Sequence, residues 1–383
     1  MTKERLIFGL AFVMDGCFGL VGLSVPLLAV ELGATYDDLG LIGATGAAAY
    51  AICCLATGGL LKRWPHQRTA ALSAGGVLLF LFSYTLARNV IHIAMVAGAL
   101  GLSLSAFWPT LQSWLAEGHD RARLIRILGT FNICWGAGMM IGPALGGRLY
   151  ASDPHLPFQI AAGIVFCVFA LLVLARPSSP PDEPADIAPI SGVDRRFLTI
   201  SWIANFATFF STGLVRSLFP KYATDSGIDP AILGNLMGLI GLAQIVSFYL
   251  ISRTHWWENR LAPMVCVQVF GAGGLFLMSI ADGVWLFAAS LCSVGLLIGA
   301  TFTWSMFYSL RSPSESRARA GIHEAIVGSG FLFGPLLGGL AAEHLGASTP
   351  YRLGAATILL GAVVATIIIR RQVTHPAVQP AND

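Results

Sequence analysis

Long apolar runs follow one another along the chain, each about one membrane crossing in length, with short polar breaks between them. A hydrocarbon layer of ~30 Å takes about 20 helical residues. That ruler predicts spans at Leu6–Val30, Tyr36–Leu61, Thr69–Ala87, Ile91–Leu115, Ile125–Leu149 and Phe158–Ala175. A second set follows at Phe197–Tyr222, Ala231–Ser252, Leu261–Ala281, Val284–Leu310, Ala318–Ala342 and Tyr351–Ile369. The one long break, RPSSPPDEPADIAPISGVDRR from Arg176 to Arg196, is rich in Pro and acid and has no apolar periodicity, so it cannot build a core. The predicted organisation is a six-helix bundle over residues 1–175, a linker over 176–196, a second six-helix bundle over 197–370 and a tail over 371–383. The expected fold class is all-α and integral to the membrane.

Composition supports this reading. Charged residues make up 11% of the 383, against roughly a quarter in soluble domains, too few for a wetted surface. The seven cysteines all sit inside apolar runs, where they read as small hydrophobes. The first apolar run is too long for a signal-peptide core and is read as a retained span. The net charge of +3 says little, but the placement of the charges says more. With both termini cytoplasmic, only Arg88, Arg148, Arg216, Lys221 and Arg352 of the 23 Lys and Arg lie outside. The positive-inside rule therefore predicts a multi-pass protein of the cell (inner or plasma) membrane with both ends in the cytoplasm.

The two halves echo each other. GMMIGPALGG, Gly138 to Gly147, returns half a chain later as GFLFGPLLGG, Gly330 to Gly339. Pro26 and Pro220 share one offset with Leu39-Gly40 and Leu233-Gly234, and Trp108 and Trp304 sit similarly. Duplicated six-helix halves are an architecture of secondary transporters, with the substrate site between the halves near mid-membrane. On span count, central linker and these strings, the whole chain resembles the major facilitator superfamily. GMMIGPALGG resembles that family's fifth-span antiporter motif. GGLLKRWPHQR, with Gly58, Lys62, Arg63 and Arg68, resembles its loop motif after span 2, although Lys62 and Pro65 stand where an acid and a glycine are expected.

Small residues let membrane helices approach closely, and Pro143 and Pro335 bend theirs. Gly138, Gly142, Pro143, Gly146 and Gly147, with Gly330, Gly334, Pro335, Gly338 and Gly339, therefore read as gating and packing machinery. The resemblance implies that spans 5 and 8, and 2 and 11, form the seam between halves.

An ionisable group deep in a span costs at least ~2.5–3.5 kcal/mol on insertion scales. Asp15 lies near the middle of span 1, a cavity-lining helix by the resemblance, and is the first candidate for carrying a proton. The alternative is a carboxylate bonded to a neighbouring helix for structure alone. His323 and Glu324 near one end of span 11 are a second proton station or, alternatively, a gate pairing Glu324 with Arg319, Arg126 or Lys62. Arg216 is an anion contact, an outer gate or a snorkelling side chain. Trp108 and Gln112, Asn132 and Trp135, Asn205, and Thr301 and Trp304 complete the expected substrate cavity, whose apolar walls and few polar groups suit an organic molecule.

There is no phosphate loop, zinc signature or nucleophile elbow, and GAGG at Gly271 lies inside a predicted span. No enzyme activity, cofactor, metal or nucleic-acid partner is expected. The expected partners are a small molecule, protons and the lipid bilayer, and the expected state is a monomer. The leading expectation is proton-coupled export of a small organic solute by antiport. A symporter or facilitator importing a sugar, organic acid or amino acid is the alternative, and a membrane sensor without transport is the remote one.

Overall fold

The computed structural model describes residues 2–60, 64–116, 121–174, 195–310 and 316–373. Among them the chain is helical almost throughout, with no strand. The first half contains α1 (Lys3–Glu31), α2 (Tyr36–Leu60), α3 (His66–Tyr84), α4 (Val90–Leu104), α5 (Phe107–Ala116), α6 (Arg121–Ser152) and α7 (Leu156–Leu174). The second contains α8 (Arg195–Asp225), α9 (Pro230–Ser252), α10 (Leu261–Ile280), α11 (Val284–Leu310), α12 (Ser316–Leu345) and α13 (Thr349–Val373). Among the described residues ten helices are long and apolar enough to span a bilayer. Large apolar side chains such as Leu79, Ile91, Leu174 and Trp285 are exposed on the outside of the bundle, as lipid contact requires.

Each predicted span coincides with a helix to within a few residues, except the fourth. That span breaks into α4 and α5 at Ser105 and Ala106. Pro109 explains the break: it has no N–H, and its ring clashes with the carbonyl four residues back, at Ser105. The proline then sits in the first turn of α5, where a missing donor costs nothing. The expected linker falls almost wholly outside the described residues, as do Lys62 and Arg63 of the loop motif. Gly58 lies in the last turns of α2, and Arg68, exposed, in the first turn of α3.

The glycine strings pack differently from expectation. A Cβ on Gly138, Gly142 or Gly146 would strike the α1 backbone at Phe12 to Gly16, Gly16 to Leu20 and Leu20 respectively. Gly330 and Gly334 meet Phe209 and Phe210 of α8, and Gly338 meets Leu214 and Leu218. The three-glycine stripes therefore bind helices of their own half. The contact with the opposite half is made one residue further round. A Cβ on Gly147 would land on Pro230 and Gly234 of α9, and one on Gly339 would meet Tyr36 and Gly40 of α2. The reason is the helical period: residues four apart stack on one face, while the next residue points about 100° away. The same two helices thus hold a half together with one face and meet its partner with another. α6 against α9, and α12 against α2, are the seams between halves.

Call the face where α1 begins and α13 ends the terminal face, and the opposite one the distal face. At the distal face the halves are latched. The Tyr36 N–H donates to Glu343 Oε2 at 3.0 Å, and the Tyr36 hydroxyl donates to Asp225 Oδ2 at 3.0 Å. Lys221 lies over the Tyr36 ring and 3.5 Å from Asp225. Tyr36 opens α2, so its N–H has no partner within its own helix. A carboxylate from the other half supplies the acceptor.

Candidate functional site

A cavity of about 440 Å³ lies between the halves, within the range of small-molecule sites. Its walls come from α1, α2, α4, α5 and α6 on one side and α8, α9, α11 and α12 on the other. Pro143 and Pro335 both reach the lining.

Two carboxylates line the cavity at different depths. Asp15 is 4% exposed and faces Arg216 of the opposite half. The two groups interact electrostatically but form no direct ion pair, and Asp15 Oδ2 and Arg216 Nε are both buried without a hydrogen-bond partner. The Trp135 indole stands beside Asp15. Its ring leans on Phe302 and Phe248 of the other half at centroid distances of 5.9 and 6.2 Å. Glu324 lies nearer the terminal face, with the Gln112 side chain of the first half and Tyr50 of α2 beside it. The cavity is thus bracketed by the distal latch at one end and the Gln112–Glu324 pair at the other.

Of the residues singled out in the sequence, Asp15, Trp108, Gln112, Asn132, Trp135, Arg216 and Glu324 line this one cavity. Among the described residues Glu324 stands beside Gln112, and not beside the expected gate partners Arg319 and Arg126; Lys62 lies outside the described residues. Arg216 does not snorkel: it points inward, with its guanidinium carbon 5.8 Å from the Phe331 ring centre.

Four residues lie elsewhere. Asn205 and Thr301 are fully buried inside the second half, where Thr301 donates to Thr208 at 3.1 Å. Trp304 packs on Trp257 at 6.3 Å, on a different face of α11 from the cavity-lining Phe302. His323 is also fully buried, 2.7 Å from the Ser305 hydroxyl and edge-on to Phe302 at 4.9 Å. Adjacent helical residues point about 100° apart, so Glu324 lines the cavity and His323 does not.

Sequence reasoning missed most of the aromatic wall. Phe18, Phe131, Phe209, Phe302 and Phe331 all line it, with Tyr50 and Thr212. Phe18 contacts Trp108 at 6.3 Å, and Phe131 meets the same ring at 6.5 Å. Helical spacing was the available signal: Phe18 is three residues from Asp15, and Phe131 four from Trp135.

A family profile described as Major Facilitator Superfamily matches residues 7–320 and, again, 201–383. The chain is 26% identical over 394 residues to the "Multidrug resistance protein MdtG" of Enterobacter lignolyticus (strain SCF1), covering 97% of this chain and 93% of that protein. It is 22% identical over 400 residues to the "Quinolone resistance protein NorA" of Staphylococcus aureus (strain MRSA252), covering 97% of each. Among solved structures, a bacterial homolog of the human lysosomal transporter Spinster, in an inward-facing and occupied conformation, superposes with a TM-score of 0.71 at 14% identity. That match covers 99% of this chain and 98% of the other. The human organic anion transporter MFSD10 (TETRAN) gives a TM-score of 0.65 at 16% identity over 95% of this chain and all of that one.

Proposed function

This chain belongs to the Major Facilitator Superfamily, and from that premise we propose that it exports a small, largely apolar organic molecule in exchange for protons. As a member it is a multi-pass membrane transporter of small molecules and not an enzyme. Export, the proton and the roles of individual residues are our reading.

The observation that carries it is Asp15, a buried carboxylate in the wall of an aromatic cavity, opposite Arg216 and without a direct ion pair. A buried charge that lacks a close partner costs several kcal/mol. The site therefore gains by taking a proton onto Asp15 or by drawing the halves together until Arg216 reaches it. A solute with a cationic or strongly polar group relieves the same carboxylate and so competes with the proton. That competition is the exchange step of an antiporter, and it fits with the relatives whose names describe drug resistance.

The coupling to shape runs through Trp135. Protonating Asp15 removes the negative charge beside its indole, and its ring rests on Phe302 and Phe248 across the seam. Glu324, beside Gln112 of the other half, acts as a terminal bridge whose strength depends on its charge. Both acids thus couple protonation to contacts between halves, which is what two-state exchange requires. By charge distribution the terminal face is cytoplasmic.

The test is flux in proteoliposomes with ethidium and a quinolone as probes. Wild type moves probe uphill against an imposed proton gradient and stops when the gradient is collapsed. Asp15→Asn still exchanges probe for probe down its gradient but moves none uphill. Full uphill movement by Asp15→Asn removes that residue from the mechanism.

A further inference from the structure

The second half contains a polar file that the first half lacks. On α8, Ser201, Asn205, Thr208 and Thr212 fall on one stripe at helical spacing, and each is at most 1% exposed. On α11, Thr301, Ser305 and Ser309 form a matching stripe, each 0% exposed. Two bonds fix the register of these antiparallel helices: Thr301 donates to Thr208 at 3.1 Å, and the Trp202 indole N–H donates to Ser309 at 3.0 Å. That register puts Asn205 at the depth of Ser305, which is where His323 of α12 approaches to 2.7 Å. At the other end Thr212 lines the central cavity one turn before Arg216. The equivalent α1 positions under the repeat, Ile7, Ala11, Met14 and Phe18, are all apolar.

Packing alone does not account for this file. Thr208 and Thr212 each donate to a carbonyl one turn back, as hydroxyls in helices do, and the single Thr301 proton lies between Thr208 and the Leu297 carbonyl. Asn205 makes no such bond, and both of its amide atoms are buried without a partner, as is His323 Nε2. Two polar groups from two helices, Asn205 of α8 and His323 of α12, thus stand with unmet hydrogen-bonding capacity at the depth of Ser305 of α11. Buried polar groups of this kind are the usual hosts of internal water.

We propose that the α8–α11–α12 junction is a water-holding site and that the file above it carries a proton between His323 and the central cavity. The imidazole takes a proton at Nε2 from water and passes the one at Nδ1 to the Ser305 oxygen. The Ser305 proton moves on to the next water toward Thr301, Thr208 and Thr212, so each hydroxyl gains one proton and loses one. The charged groups nearest His323 on its own helix are Arg319, one turn away and paired, and Glu324, which lines the cavity. The α11 face brings Ser305 and the Phe302 ring, and α8 brings only its hydroxyl and amide stripe. The route runs inside the second half and opens into the central cavity at Thr212, one turn before Arg216. It rests on the proton-coupled reading for its purpose, but not for its existence.

Two measurements test it. Radiolytic footprinting of the purified protein in ¹⁸O-water labels side chains beside bound water. His323 is expected to label about tenfold faster than the equally buried Phe219 and Phe158, and labelling at the rate of those two overturns the water site. In proteoliposomes, Thr301→Val and Asn205→Leu are expected to cut gradient-driven ethidium movement about tenfold while probe-for-probe exchange stays within about twofold. Wild-type gradient-driven rates in both variants, or an equal fall in both modes, overturns the proton route. A wild type that shows no gradient-driven movement overturns the proton-coupled reading and the route together, while footprinting still decides the water site.

Discussion

Asp15 and Trp135 form the smallest unit of the account. A carboxylate placed mid-membrane must have a use or a partner, and Asp15 has the Trp135 indole beside it and a guanidinium that forms no direct ion pair with it. Trp135→Phe keeps the ring stacked on the opposite half and deletes the N–H. Equilibrium binding of ethidium should stay near wild type while gradient-driven movement falls about tenfold or more. Loss of binding with coupling intact would instead make Trp135 a substrate contact. Asp15 was legible in the sequence because charge inside an apolar run is rare. Asn205, Thr301 and Trp304 were read as cavity residues on the same grounds, yet they face the interior of their own half. Polarity marks a buried position but does not say which face of a helix it occupies. His323 and Glu324 show the limit plainly: neighbours in sequence, they serve different compartments.

At the scale of elements, the paired glycine strings give each motif helix two jobs. Gly142 presses α6 onto α1, and Gly147 presses it onto α9. Gly142→Leu should therefore disturb one bundle internally, lowering thermal stability by the ~1–3 kcal/mol typical of overpacking. Gly147→Leu and Gly339→Leu should leave each bundle sound and wedge the halves apart at the distal side. Melting of the purified variants checks the first expectation, and flux at matched expression checks the second. Equal stability loss at Gly142 and Gly147 would erase the distinction. The repeat itself, the span positions and the seam helices could all be read from the sequence. The division of labour within a string could not, because it depends on a rotation of about 100° between adjacent residues and on which neighbour stands on each side. The split of the fourth span was written in Pro109, which the length ruler ignores.

Across the whole molecule, the described state is held by Tyr36, Asp225 and Glu343 at the distal face and by Gln112 and Glu324 toward the terminal face. Removing the distal bonds should shift the balance of states by an amount set by their strength, roughly 1 kcal/mol per bond. The double variant Tyr36→Phe with Glu343→Ala is expected to raise the population with separated distal ends about tenfold or more. Distances between spin labels on the distal ends of α2 and α12 report it, and an unchanged distribution would show the latch to be incidental.

The central claim is that solute and proton compete for Asp15, and proton release on binding tests it most directly. Purified wild type in weakly buffered solution, titrated with ethidium and followed by a pH indicator, should release about one proton per molecule bound at pH values where the acid is protonated beforehand. Asp15→Asn should bind and release none. Wild type that binds ethidium with no proton release at any pH, or Asp15→Asn that releases as much as wild type, contradicts the account.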